Sequence, residues 1–441
     1  MATPSKKTPV YSDLRNTIRG QHVTVPNLYQ LAPDWKPSIH PDYVKAREVL
    51  DFWIRRWVPG DKICYKMQQA NFAMFAAVLC SESSFERLCT VAKHFAWYFI
   101  WDDIFDCGTL QYDVEVAKTY RDASLQYFNW AIMSEGPKPD LSTFTTELQN
   151  ALLCWDEIGD HIPQECSAET RQVFLDWMLA YVASVSNAES FFTGDAIPSV
   201  DKYWERRELT AAVYSVMALI PFAHGFDITR EDVEDENMRL LWKHASYLVH
   251  ITNDMFSFRK EFVQDPTIPL LPRLPTPLAN MLQNDNQLEN LIPITMAHTG
   301  LTANQTMQLA YHICLKEVDG FNARAKALRK SHEYSKKTES FIRGCEDVFM
   351  GLVHWRFVTL QYSTSGGLAD RSARSYSGQR YFKTSELDSE FRVSFELGSA
   401  SAESKSYIES LGGLTSPASL SLGLALALAS VTLATKLRAH S

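Results

Sequence analysis

FAWYFIWDDIFDCG, residues Phe95–Gly108, is the stretch on which the fold turns. Its aromatic residues do not alternate with polar ones, as a half-buried strand would require, and its charges collect at one end as Asp102, Asp103 and Asp106. Read as a helix ending near Gly108, a plausible left-handed cap, it places Asp102 and Asp106 on one face, with Asp103 about 100° round. Carboxylates in a last helical turn meet the negative end of the helix dipole and repel one another, so they cost stability unless a cation offsets them. Hard oxygen donors presented this way suit Mg²⁺, which keeps several waters and bridges to phosphates. One and two turns back lie Phe99, Tyr98 and Phe95, whose ring faces can stabilise a cation without acting as nucleophiles. The competing interpretation is a solvated acidic helix end above an ordinary core stripe.

Working outward, residues 44–355 are helical by pattern, because apolar residues recur at three- and four-residue spacing: Phe72, Phe75, Ala76 and Leu79, then Phe174, Trp177, Met178 and Tyr181. Pro59-Gly60, Pro137 to Pro139, Pro163, Gly194 to Pro198 and the run Pro266 to Pro277 divide this span into about ten predicted helices. The expected fold is all-α, a single helical bundle with a central cavity, and bundles place their cofactor sites between helices.

The chain has 441 residues, 46% hydrophobic and 22% charged, which suits one large globular domain. A net charge of -9 offers no basic face for nucleic acid. Residues 1–20 contain no apolar core for a signal peptide, which leads to an expected cytoplasmic location. The eight cysteines (64, 80, 89, 107, 154, 166, 314 and 345) form no CxxC pair and read as reduced thiols, mostly in the core.

A second oxygen-bearing face follows at Asn253, Ser257 and Glu261, spaced i, i+4 and i+8. These positions drift about 40° per step, so one helical face presents an amide oxygen, a hydroxyl and a carboxylate. Asn is a poor helix former in mid-helix, which argues against a purely structural role. Lys260 lies beside this face, within reach of a phosphate oxygen.

DDIFD (Asp102 to Asp106) resembles the aspartate-rich DDxxD motif of class I terpene synthases, and NDMFSFRKE (Asn253 to Glu261) resembles their NSE triad, especially in the fungal sesquiterpene synthases. The separation between residues 102 and 253 is also similar to that family's. The resemblance implies a Mg²⁺-dependent lyase that ionises and cyclises an isoprenyl diphosphate, farnesyl diphosphate first among them, with geranyl and geranylgeranyl diphosphates as alternatives. It implies three Mg²⁺ ions, with Mn²⁺ as a substitute, held by Asp102, Asp103, Asp106, Asn253, Ser257 and Glu261. The family's diphosphate-sensing arginine matches Arg207, and its linker and effector positions fall on Thr210 and Ala211, where glycine is the commoner effector. A guanidinium can donate two parallel hydrogen bonds to a phosphate. Arg206 is expected to be a surface salt-bridge partner. Phe95, Phe99 and Trp355 are the expected aromatic wall.

The C-terminal part departs from the family. An Arg-Tyr pair is expected six and seven residues after Trp355, where this chain has Gln361-Tyr362; the pair occurs instead at Arg380-Tyr381. Removing residues 358–376 would restore the register, so this Ser/Gly/Arg-rich stretch reads as an inserted loop that interrupts the helix of Trp355. The expected organisation is a flexible segment over residues 1–20, the catalytic domain over 21–384 and a low-complexity tail over 385–441. The uncharged run Ala418 to Thr435 is marginal as a membrane span, and no stable insertion is expected. The chain is expected to be a monomer or homodimer. A chain-elongating prenyltransferase would carry a second DDxxD motif and a class II cyclase a DxDD motif; neither occurs. The remaining rival is a catalytically impaired helical relative.

Overall fold

Short polar side chains set many of the helix starts. Thr145, Ser167, Ser199, Thr229 and Thr302 each accept a hydrogen bond from the backbone three residues on. Thr229 and Thr302 complete reciprocal capping boxes with Asp232 and Gln305.

The computed structural model describes residues 11–18, 23–106, 110, 113–185, 197–262, 289–332 and 334–364; the side chains at 11, 12, 15, 16, 106, 259–262 and 358–364 lie outside that description. In chain order the helices are α1 (Tyr11–Ile18), α2 (Tyr43–Trp57), α3 (Asp61–Ala70), α4 (Phe72–Leu79), α5 (Phe85–Asp106), α6 (Val114–Met133), α7 (Thr146–Leu153), α8 (Asp156–Glu165) and α9 (Ala168–Ser184). They continue as α10 (Val200–Thr210), α11 (Val213–Ala218), α12 (Ile220–His224), α13 (Arg230–Glu234), α14 (Glu236–Phe262), α15 (Leu291–Thr299), α16 (Ala303–Lys330) and α17 (Lys336–Thr364). No strand occurs among the described residues. None of these helices is long and apolar enough to cross a membrane.

The helices outnumber the expected ten because several breaks carry no proline. Asn71 (φ 53°) separates α3 from α4, and Ala212 (φ 57°) separates α10 from α11. Left-handed backbone is unusual for a residue with a Cβ, so neither break stands out in the sequence. Pro163 was expected to end a helix; it lies instead in the last turn of α8, which runs on to Glu165. A larger difference concerns α17, which continues unbroken from Trp355 through Thr364, into the stretch expected to be a loop. VTLQYST contains neither glycine nor proline, so nothing stops the helix before the Gly366-Gly367 pair.

The long helices α5, α14, α16 and α17 organise the bundle. α4 packs on both α5 and α17, while α14 packs on α15, α16 and α17. Trp97 and Trp101 of α5 and Trp155 at the start of α8 are fully buried. The seven described cysteines are free thiols, six buried and Cys166 partly so.

Candidate active site

The two oxygen-bearing faces stand on the C-terminal portions of α5 and α14, with α9 and α10 beside them. Asp102 accepts a hydrogen bond from the Tyr181 hydroxyl of α9 at 3.3 Å. Burial, the neighbouring Asp103 and the carboxylate of Glu289 push the Asp102 carboxyl up to about 6, against the pull of Tyr181 and Arg207. This carboxyl therefore holds its proton more readily than an ordinary aspartate, and positive charge brought beside it would favour the ionised form. Asp106 of the same motif has its side chain outside the described residues, as do Lys260 and Glu261.

On α14, Asn253 Oδ1 accepts from Arg356 Nη2 of α17 at 2.7 Å. The buried Ser257 hydroxyl accepts from Asn290 Nδ2 at 3.3 Å, and the same amide group donates to the Asp254 carbonyl. Between Asn253 and Ser257 lies a residue to which the sequence reading gave no role. Asp254 is fully buried and accepts from Arg207 Nη2 at 2.9 Å, the Tyr203 hydroxyl at 2.7 Å and the Leu291 backbone N–H at 2.7 Å. One carboxylate thus joins α10, α14 and the start of α15. The family-like spacing draws attention to the residues either side of Asp254 and masks it.

Arg207 is the group common to both faces. It pairs with Asp254 beneath the α14 face, and its positive charge favours ionisation of Asp102 on the α5 face. Burial, aided by the charge of Arg207, holds His250 neutral, far below the usual imidazole range. Arg206, expected at the surface, is instead mostly buried, its side chain 11% exposed, and pairs with Glu289 at 3.1 Å. Successive helical residues point about 100° apart, so the two arginines serve different partners. Thr210 donates its hydroxyl to Glu289 as well. Ala211 caps α10 with an ordinary φ of -69°; the left-handed residue at this break is Ala212.

The three rings expected to form an aromatic wall lie together in one cluster with two more. Phe95 packs on Phe75 (4.4 Å between centroids), Phe99 on Phe72 (4.5 Å), and Trp355 stacks on Phe75 at 5.6 Å while meeting Phe99 edge-on at 6.0 Å. Phe72 and Phe75 come from α4, whose apolar periodicity was legible in the sequence although its role as a wall was not. Tyr98 turns its hydroxyl away from this wall into a buried relay. The Trp155 indole N–H donates to His94 Nδ1, so His94 Nε2 carries the proton toward the Tyr98 oxygen. Tyr98 meets Ser215, and Ser215 donates to the Ala212 carbonyl. The relay anchors the left-handed break to the core.

Among the described residues no group of three or more His, Cys, Asp or Glu side chains stands ready to hold a metal. The donors expected here include Asn253 and Ser257, and Asp106 and Glu261 fall outside that set. The donors that are described are oxygens, with no thiolate or imidazole between them, and such a set fits a hard divalent cation.

An all-helical bundle with acidic and amide-hydroxyl faces around one arginine and an aromatic wall defines the class I terpenoid synthase type of protein. Residues 93–319, just over half the chain, match the family model described as terpene synthase family 2, C-terminal metal binding. The chain belongs to this family of metal-binding lyases, whose substrates are isoprenyl diphosphates. It is 24% identical to the sesquiterpene cyclase hepA of Aspergillus oryzae over 370 residues, 82% of this chain and 94% of that protein. It is 21% identical to the silphinene synthase peniA of Penicillium patulum, over 79% of this chain and 87% of that one. Among solved structures, the linalool/nerolidol synthase of Streptomyces clavuligerus, in complex with 2-fluorogeranyl diphosphate, shares the fold: TM-score 0.57, 14% identity, 72% of this chain and 99% of that one.

Proposed function

We propose that the chain is a Mg²⁺-dependent sesquiterpene synthase of the cytoplasm, ionising farnesyl diphosphate and cyclising the hydrocarbon with release of diphosphate. The observation that carries this reading is the position of Arg207, paired with Asp254 under one oxygen-bearing face and within electrostatic reach of Asp102 on the other. A farnesyl rather than shorter or longer chain is supported by relatives named as a sesquiterpene cyclase and a sesquiterpene synthase.

Asp102, Asp103 and Asp106 would hold metal from α5, and Asn253, Ser257 and Glu261 from α14. Once bound, three divalent ions would offset the charge on the departing diphosphate, a large electrostatic effect in a dry site. The chain's own groups do the rest. Arg207, with Lys260, binds diphosphate oxygens and orients the leaving group; the Arg380-Tyr381 pair would join them only where the intervening segment returns it to the site. The C–O bond breaks with both electrons remaining on diphosphate. The allylic cation left behind faces Phe95, Phe99 and Trp355, whose ring faces stabilise positive charge and offer no lone pair. Thr210 and Ala211 carry the sensor's position to the break after α10. Exclusion of water delays quenching until cyclisation is complete.

The test is to incubate the purified chain with farnesyl, geranyl and geranylgeranyl diphosphates, with Mg²⁺ or with EDTA, and to analyse volatile products and released diphosphate. A cyclic fifteen-carbon product that requires Mg²⁺ is expected. Asp102→Asn and Asn253→Ala should each lower turnover by orders of magnitude while helicity is kept. Undiminished turnover in EDTA would refute the mechanism, and elongated prenyl diphosphates would point to a prenyltransferase.

A further inference from the structure

One position at which the family resemblance leads one to expect an arginine holds an uncharged residue instead. Six residues after Trp355 stands Gln361, and α17 runs regularly through that position, so no distortion brings another residue into its register. An amide there carries no charge. The residue directly after Trp355, however, is an arginine.

Arg356 is placed by two contacts. Its guanidinium carbon lies 4.3 Å from the centroid of the Trp355 ring, and its Nη2 donates to Asn253 Oδ1 at 2.7 Å. Trp355 is itself fixed, 3% exposed and packed on Phe72, Phe75 and Phe99. Stacking on an anchored indole holds the guanidinium plane, and a guanidinium presents its donors along the edges of that plane. The contact with Asn253 also settles which end of the amide faces α17: an arginine donor requires the oxygen. Arg356 therefore sits one hydrogen bond from the first residue of the α14 face. Arg356 and Gln361 are about 7.5 Å apart along the helix axis and about 140° apart around it. Arg356 thus approaches from the α14 side and does not duplicate the register of the missing pair.

We infer that Arg356 is a diphosphate-binding residue of this site, reaching in from α17 beside Asn253 and supplying positive charge that Gln361 does not. The inference rests on the terpene synthase reading and specifies its ligand contact: a guanidinium edge toward a diphosphate oxygen, with the indole of Trp355 behind it.

The experiment is calorimetric titration of inorganic diphosphate into the full chain at saturating Mg²⁺, comparing wild type with Arg356→Gln and Arg356→Lys. Arg356→Gln should weaken binding at least about tenfold, as expected for the loss of a charge-assisted hydrogen bond, and Arg356→Lys should recover part of the loss. A merely structural role would lower the melting temperature without this charge-dependent recovery. Equal affinities in wild type and Arg356→Gln overturn the inference and leave the family reading intact. A wild-type chain that binds no diphosphate in Mg²⁺ overturns both. Should Arg356→Gln fail to fold, phenylglyoxal labelling of the wild-type chain decides: Mg²⁺ and diphosphate together must protect Arg356 from modification, and an unprotected Arg356 refutes the assignment.

Discussion

Replacing Asp254 by asparagine removes one charge where α10, α14 and α15 meet. The carboxylate is fully buried and accepts from Arg207, Tyr203 and the Leu291 backbone. Asparagine keeps the shape but turns one acceptor oxygen into an NH₂ group that faces a donor, and it removes the negative charge paired with the Arg207 guanidinium, which is 13% exposed. Removing one partner of a buried ion pair costs about 3–5 kcal/mol, because the other charge stays behind desolvated. Unfolding entropy of about 2.1 cal/mol/K per residue gives about 0.6 kcal/mol/K for roughly 300 residues, hence a fall in Tm of roughly 5–8 °C. Thermal melts followed by circular dichroism would measure it, together with Arg207→Gln and the double variant. Once the arginine is gone there is no orphaned charge, so the double variant should lose at least about 1.5 kcal/mol less than the sum of the single losses. A melt of Asp254→Asn within about 1 °C of wild type, or strictly additive losses, would refute this account of the junction.

Stability should also depend on pH through the buried relay. Burial lowers the His94 imidazole to about 3, so the folded chain keeps it neutral while the unfolded chain protonates it below its ordinary value near 6.5. The unfolded state then binds the extra proton, and between about pH 6 and 4 this histidine costs up to about 1.4 kcal/mol of stability per pH unit as pH falls. Denaturant melts across that window should show a shallower dependence in His94→Gln than in wild type; parallel slopes would remove His94 from the account. Deleting residues 358–376 should bring Arg380-Tyr381 into the register after Trp355 and raise turnover at least about tenfold, near 1.4 kcal/mol in barrier. In that variant, Arg380→Gln should abolish the gain, and a wild-type chain that already matches the deletion would show the segment to be harmless.

The parts of this site that were legible in the sequence are those whose meaning is local. The crowding of rings before Asp102 and the i, i+4, i+8 spacing of Asn253, Ser257 and Glu261 depend only on helical geometry. Asp254 could not be read in the same way, because its partners come from residues 203, 207 and 291 and none follows from its neighbours in the chain. Arg206 and Arg207 are indistinguishable as text; their fates differ because one faces Asp254 and the other Glu289. The break at Ala212 gave no signal either, since alanine favours the helix it here interrupts. The end of α17 was misplaced for the opposite reason: a Ser/Gly-rich composition averaged over 358–376 hides a first third that has no helix breaker at all.

Two buried polar ties therefore bracket Arg207. On one side Asp254 holds Arg207 to α14 and α15; on the other the Trp155–His94–Tyr98–Ser215 relay holds the Ala212 carbonyl to α5 and α8. Four residues separate Arg207 from Ala212, and the left-handed φ of Ala212 costs about 1–2 kcal/mol that the relay offsets. Arg207 cannot turn its full fork toward a diphosphate without loosening the bond to Asp254 or carrying the end of α10 with it. The first route exchanges one anion for another at little net electrostatic cost. The second would strain the tie at Ala212 and so carry the leaving group's arrival to α11, beside the Tyr98 side of the bundle.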